Sequence, residues 1–366
     1  MNIRAVVLRE IELSMKSPFV THQGSLETRP LIIVEAHDAG GNIGYGEVTA
    51  FPAPFYTYET LTTAWYVLEQ LLIPLLSTSS VHHPRDFAQL SEAVKGHPMA
   101  KAGLEGSLWD LYAKQRGVSL QSLIGGERTS VKAGAVLSLE DNLEGKLSVL
   151  KEEGYQRYKL KVEKGHERQM IETVQSLDPD LPIMIDANGQ YEEKDIEGLY
   201  ELDRYQMLMI EQPFAAGDFY LHQWLQKQME TPICLDESIM CFHDAVQAVQ
   251  LDSCRVVNVK ISRVGGLTAA LNIHDYCQDH GVPVWCGGMV ESGISKAHNL
   301  ALASLPNFTI PGDLSSSERY FKRDLLTSGI KLEYGEIQVP QGPGIGVEVD
   351  DDYLHAITKK RYVANL

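Results

Sequence analysis

The chain has 366 residues, 44% hydrophobic and 22% charged, which is ordinary for a globular protein large enough for two domains and a sizeable core. Its formal net charge of −17 argues against nucleic acid or an anionic membrane as partner, but not against a small anionic substrate held by local cations. The five cysteines form no Cys-x-x-Cys pair, the N-terminal residues carry no signal-peptide core, and runs such as Leu71–Leu76 are too short to cross a bilayer; the sequence therefore predicts a cytoplasmic protein with reduced, buried thiols.

In chain order, Ile3–Ser14, Leu31–His37 and Gly44–Val48 alternate like antiparallel strands. The connecting stretches Ser17–Arg29 and Ala50–Tyr58 read as loops, the second dense in Pro and aromatics. Thr60–Leu76 and Met99–Gln115 show helical apolar spacing. Strands followed by helices make an α+β domain over residues 1–126, closed by Gly125-Gly126.

A different period begins after it. Lys161, Asp186, Glu211, Asp236 and Lys260 each close a short apolar run, at intervals of 25, 25, 25 and 24 residues. That interval is the length of one βα unit, so the five ionisable groups fall at the C-terminal ends of five parallel strands. The frame extends back to Val131–Leu137 and forward to Val282–Cys286 and Phe308–Pro311, giving eight strands, the number that closes a parallel barrel. The barrel occupies residues 127–320. The stretch Ser317–Leu326 is only weakly helical, and the turn-rich tail 321–366 is expected to pack back on the first domain.

With strands numbered one to eight, Lys161 on the second and Lys260 on the sixth face each other across the mouth, while Asp186, Glu211 and Asp236 form an acidic arc on strands three to five. Three carboxylates without His or Cys suit a hard cation, Mg²⁺ with Mn²⁺ as substitute. Two amines and a metal can abstract a proton beside a carboxylate and stabilise the charge that forms. Lys159 shares a strand face with Lys161, and Arg263 follows Lys260; both neighbours are expected to push the lysines toward neutrality. Asn188, Gln212 and Glu237 are either supports for the metal or polar loop residues. Phe51, Phe55 and Tyr56 are loop packing or substrate wall, and Gly287-Gly288-Met289 is a tight turn or a place where backbone meets substrate. Phe19, Glu291 and Ser292 complete the candidate substrate contacts. A non-catalytic metal-binding barrel would have no use for two opposed lysines.

Together, the segments YKLK, IDAN, IEQP, CLDES and NVKISRVGG resemble the enolase superfamily, and their spacing is similar to its muconate-lactonizing subgroup. GGMVESGIS, PGDLSSSERYF and AGLEGSLWDLYAKQRG resemble the o-succinylbenzoate synthase / N-succinylamino acid racemase family, with Ser295 where that pattern more often has Gly. The resemblance implies an α/β fold: a (β/α)7β TIM-like barrel under an N-terminal capping domain completed by the C-terminal tail. It makes Asp186, Glu211 and Asp236 the Mg²⁺ ligands, Lys161 the base and Lys260 the opposing lysine. The implied activity is a Mg²⁺-dependent syn dehydration in menaquinone biosynthesis, with two-lysine racemisation of N-succinylamino acids as the alternative. It also implies a small carboxylate substrate and association of barrels into a homo-oligomer. Dipeptide epimerisation is disfavoured, because Asp313 is followed by Leu314-Ser315 rather than by the Asp-x-Asp of such enzymes.

Overall fold

The structure, a computed structural model, describes residues 1–21, 24–138 and 142–366, and within these the side chains of all but residues 19–25. Strands β1 (Ile3–Thr21), β2 (Gly24–Asp38) and β3 (Ile43–Val48) form an antiparallel sheet. Its outer strand on the far side of β1 is contributed by the other end of the chain, Thr358–Asn365, with Leu8 opposite Tyr362. The region Ser17–Arg29, expected as a loop, is instead largely strand. After an irregularity between Ser14 and Phe19, pairing resumes at Phe19–Leu26, Val20–Ser25 and Thr21–Gly24, so polar composition here marks an extended hairpin.

Helices α1 (Leu61–Val67) and α2 (Ile73–Thr78) are joined by a π-helical turn at Leu68–Leu72, followed by α3 (Pro84–Ser91) and the long α4 (Pro98–Arg116). The buried Glu59 carboxylate accepts from Met99 N (2.8 Å) and Ala100 N (2.9 Å), satisfying donors that the first turn of α4 leaves free. Helix α4 lies backbone to backbone on β3. A Cβ on Gly46 would stand 2.0 Å from Gly103 O, so only glycine permits this contact. Val6, Leu8, Ile32, Val34, Leu104 and Leu108 form the core of this cap.

The remaining strands, β4 (Ser130–Lys132), β5 (Ala135–Leu137), β6 (Tyr158–Lys161), β7 (Ile183–Asp186), β8 (Ile210–Glu211), β9 (Ile233–Leu235), β10 (Val256–Val259), β11 (Val284–Cys286) and β12 (Glu336–Gln338), are short. β5 to β11 make one parallel sheet in sequence order, the curled wall of an α/β barrel. The expected first strand, Val131–Leu137, is split. Its first half pairs with β12, and a Cβ on Gly134 would lie 2.1 Å from the buried Arg157 guanidinium. The expected eighth strand makes only bridges among the described residues, Val284–Phe308 and Ala133–Gly312, which link the two edges of the sheet. Of Ser317–Leu326, only Ser317–Arg319 is helical, as a 3₁₀ turn. Four cysteines are buried and unpaired; Cys241 is exposed, contrary to expectation, at the N-cap of the helix Phe242–Gln250.

Candidate active site

All five periodic charges sit where the βα frame puts them. Lys161 is in register with Asp186, and Asp186 with Glu211, so three neighbouring strands end in one row. Asp236 follows the last residue of β9 and Lys260 the last of β10. Three strands separate β6 from β10.

The interior below this row is filled by paired charges. Lys159 Nζ lies 2.6 Å from Asp313, 2.8 Å from Glu211 and 3.5 Å from Asp186, and 4.9 Å above the Trp285 ring. Arg157 reaches the same Asp313 at 2.6 Å. Burial opposes charge on Lys159, yet Asp313, Glu211 and Asp186 hold its ammonium well above the ordinary lysine value. Strand alternation puts Lys161 on the same inner side, one step closer to the mouth. There it is exposed and has no ion-pair partner among the described residues.

Lys260 is held differently. Its Nζ donates to Asp236 (2.8 Å) and to the Tyr56 hydroxyl (3.0 Å), which also accepts from Arg263 Nη1 (2.9 Å). Arg263 is fully buried, pairs with the other Asp236 oxygen, and donates to Ile239 O and Asn258 O. Arg263 does act against charge on Lys260, but it is not the largest influence there. Burial and Arg263 both disfavour the charge, but contact with Asp236 outweighs them and raises Lys260 above its usual range. Lys159 is likewise balanced by three acids and brings little uncompensated charge to Lys161.

The acids differ among themselves. Burial, then Asp186, pushes the Glu211 carboxyl far above its usual value against the pull of Lys159, and Asn258 Nδ2 donates to it at 2.9 Å. Against burial, Arg263 and Lys260 hold Asp236 down, to about 2. Among the described residues, no three acid, His or Cys side chains are gathered tightly enough to enclose an ion, and Asp236 is paired with Lys260 and Arg263. The donor set nevertheless fits a hard cation: Asp186 and Glu211 share one ammonium within 3.5 Å, all donors are carboxylate oxygens, and buried Glu211 resists ionising without added positive charge.

Gln212 proves to be a brace. Its Oε1 accepts from Asp236 N (3.0 Å) and Ser238 N (3.1 Å), fixing the turn that presents Asp236. Asn188 and Glu237 approach each other at 3.5 Å, and the other Glu237 oxygen is buried without a hydrogen-bond partner.

The candidate substrate contacts divide unevenly. Phe51 and Met289 are buried in the cap core, and Phe55 packs on Phe51 at 4.6 Å. Ser292 is wholly buried, its N and Oγ both donating to Glu47 of the cap, while Glu291 accepts from Met289 N and from Asn299 Nδ2 at 3.2 Å. Ser292 thus serves the seam between cap and barrel and Glu291 braces the loop after β11 against the helix that follows it; buried and bonded, neither presents a free group to a substrate. Gly288 lies under Asp313 O, where a Cβ would stand 2.7 Å away, so its need for glycine comes from packing. The Phe19 side chain lies outside the described residues. Tyr56, expected as either loop packing or substrate wall, reaches from the cap to the charged centre.

Cap, curled parallel sheet and acid–lysine mouth define a member of the enolase superfamily. Residues 3–125 match the mandelate racemase / muconate lactonizing enzyme N-terminal domain, and residues 144–353 match the enolase C-terminal domain-like family. More narrowly, the chain belongs to the o-succinylbenzoate synthase / N-succinylamino acid racemase family. It is 46% identical to the o-succinylbenzoate synthase of Bacillus subtilis, covering 98% of this chain and 97% of that one. It is 38% identical to an N-succinylamino acid racemase of an Amycolatopsis species, covering 98% of each. A crystal structure of an enolase superfamily member from Enterococcus faecalis superposes with a TM-score of 0.95 at 42% identity, over 99% of both chains. Among the described residues, no helix is long and apolar enough to cross a membrane.

Proposed function

We propose that this chain is an o-succinylbenzoate synthase, which eliminates water from 2-succinyl-6-hydroxy-2,4-cyclohexadiene-1-carboxylate on the route to menaquinone. The observation that carries this reading is the asymmetry of the two lysines. Among the described residues, Lys161 is exposed and has no ion-pair partner at the mouth, whereas Lys260 is clamped between Asp236 and Tyr56, and contact with Asp236 raises it above its usual range. A syn elimination needs one mobile base and one fixed positive charge. Lys161 takes the proton α to the carboxylate and returns it to the hydroxyl on the same face; the C–O bond breaks, water leaves, and the ring becomes aromatic. Lys260 faces the developing negative charge as an ammonium. Asp186, Glu211 and Asp236 would hold Mg²⁺, or Mn²⁺ in its place, supplying positive charge to offset that on the substrate carboxylate.

Racemisation of N-succinylamino acids is the second reading. It is favoured by the relatives that bear that name and by Arg263, which touches Tyr56 alongside Lys260. It requires Lys260 to exchange protons on the face opposite Lys161. Measuring kcat/KM for both reactions with Lys161→Ala and Lys260→Arg tests the assignment. Lys161→Ala should lower both rates by roughly 10²–10⁴-fold. Lys260→Arg, which keeps the charge but cannot act as a base, should retain much of the dehydration and lose racemisation. Substantial synthase activity in Lys161→Ala would end the reading.

A further inference from the structure

Arg29 is one of the buried points at which the cap is pinned to the barrel. Arg29, on β2, is 1% exposed, and its five N–H donors meet five backbone carbonyls. Nη1 donates to Pro30 O (3.0 Å) and Ala50 O (2.9 Å), and Nη2 to Thr49 O, all within the cap. Nε donates to Val290 O (3.2 Å) and Nη2 to Met289 O (3.4 Å), both in the loop that follows β11. The guanidinium carbon also lies 4.1 Å from the Phe51 ring centroid. One planar group thus joins the start of the aromatic cap loop to the barrel loop beside Lys260.

Two further features show that this loop has to be held. Val290 adopts φ of 56°, a left-handed conformation that a β-branched residue resists, and its carbonyl is the one that Arg29 Nε binds. Gly287, three residues earlier, leaves the space in which the Lys260 stem lies; a Cβ there would stand 2.6 Å from Lys260 Cε. On the cap side, the segment that Arg29 fixes at Thr49–Ala50 runs directly into Phe51 and on to Tyr56, whose hydroxyl touches Lys260 and Arg263. Thr49 itself bonds Ser262 across the same seam at 2.9 Å.

We infer that Arg29 is a positioning residue: it fixes the cap loop and the loop after β11 in one arrangement, and through them the seat of Tyr56 against Lys260. Lysine cannot substitute, because an ammonium has three donors and no planar fork to address two loops at once.

The test begins with the unmodified protein. If Arg29 couples the two segments, alongside the Glu47–Ser292 and Thr49–Ser262 bonds, amides of residues 49–51 and 289–293 should exchange with solvent through one shared opening, with equal opening free energies across denaturant. Clearly different opening energies would overturn the inference. In Arg29→Lys, exchange in both segments should accelerate about tenfold or more, with barrel helices far from the seam unchanged. The synthase kcat should fall about tenfold or more, because loosening the two loops unseats the Tyr56 hydroxyl from Lys260 while the lysines remain. A folded Arg29→Lys protein with unchanged exchange and kcat, showing only a lower melting temperature, would reduce Arg29 to a stability element. The kinetic arm rests on the function proposed above and the exchange arm does not, so failure of one reading is distinguishable from failure of the other. If Arg29→Lys does not fold, the shared opening in the unmodified protein decides.

Discussion

Asp313 lies 2.6 Å from Lys159, and with Arg157 on its other side it gathers the positive charges beneath the barrel mouth. Without that carboxylate, Lys159 would be left to Glu211 and Asp186 alone, at 2.8 and 3.5 Å. Asp313→Asn should therefore tie those two acids more tightly and weaken cation binding by roughly 10–100-fold, the usual cost of losing an outer partner of a metal ligand. Titration with Mn²⁺ followed by electron paramagnetic resonance, together with the Mg²⁺ dependence of kcat/KM, measures this. An unaltered affinity in a folded variant would detach Asp313 from the site.

Tyr56 gives the cap its only described reach into the charged centre, through bonds of 3.0 Å to Lys260 and 2.9 Å to Arg263. Tyr56→Phe keeps the ring and removes the shared acceptor. Hydrogen bonds to charged groups contribute about 1.5–3 kcal/mol, so the synthase reaction should slow by roughly 10–100-fold. The loss should fall on kcat more than on KM, since the hydroxyl touches the lysine and not the packing of the loop. A KM effect alone would show that the aromatic loop acts through substrate binding.

What the sequence discloses and what it hides have the same physical origin. Lys161, Asp186, Glu211, Asp236 and Lys260 are legible because a βα unit has a nearly fixed length and each strand ends on one residue, so the chemistry inherits the period of the fold. The frame fails at its ends. The first strand is split where Gly134 makes room for Arg157, and the eighth holds the barrel by bridges only, so the pairing of Asp313 with Arg157 and Lys159 follows from no spacing. Arg29 is invisible for another reason: its partners are backbone carbonyls, which any residue could supply. Position at a strand end likewise cannot say whether a polar group meets substrate or protein: Ser292 bonds Glu47 of the cap and Glu291 bonds Asn299 of the barrel.

Glu105 on α4 docks the cap onto the barrel by a buried carboxyl at the start of the helix Leu267–Asp279. Both its oxygens lie 3.3 Å from Thr268 N, and Trp109 Nε1 donates at 3.3 Å. Burial raises it from 4.5 to about 7, against the lowering effect of those bonds. The folded chain therefore keeps a proton that the unfolded chain gives up. Its contribution is fully present below the unfolded value near 4.5 and is lost as pH rises through about 7. Between pH 5 and pH 8 the wild type should lose roughly 3 kcal/mol relative to Glu105→Gln, which cannot titrate. Urea denaturation of both proteins at the two pH values reads the difference directly. A pH-independent gap between them would mean that Glu105 stays ionised at the helix start.

Gly287 links packing to chemistry at the end of β11. A Cβ at this position would stand 2.4 Å from Asn258 Oδ1, 2.6 Å from Lys260 Cε and 2.8 Å from Lys260 Cγ. The Lys260 stem cannot retreat freely, because its ammonium is anchored on Asp236 and Tyr56. Nor can Asn258 yield without loosening its bond to Glu211. Gly287→Ala should therefore displace the lysine and the acid together, at a stability cost of about 1–3 kcal/mol, the range for overpacking a filled interior. The rate should fall by roughly 10²-fold, since a shift of about 1 Å in a reacting group costs that much. Steady-state kinetics on the folded variant, with melting as control, test it. Activity within a factor of two or so of wild type would show that Lys260 tolerates displacement, which a charge fixed in place over the substrate should not.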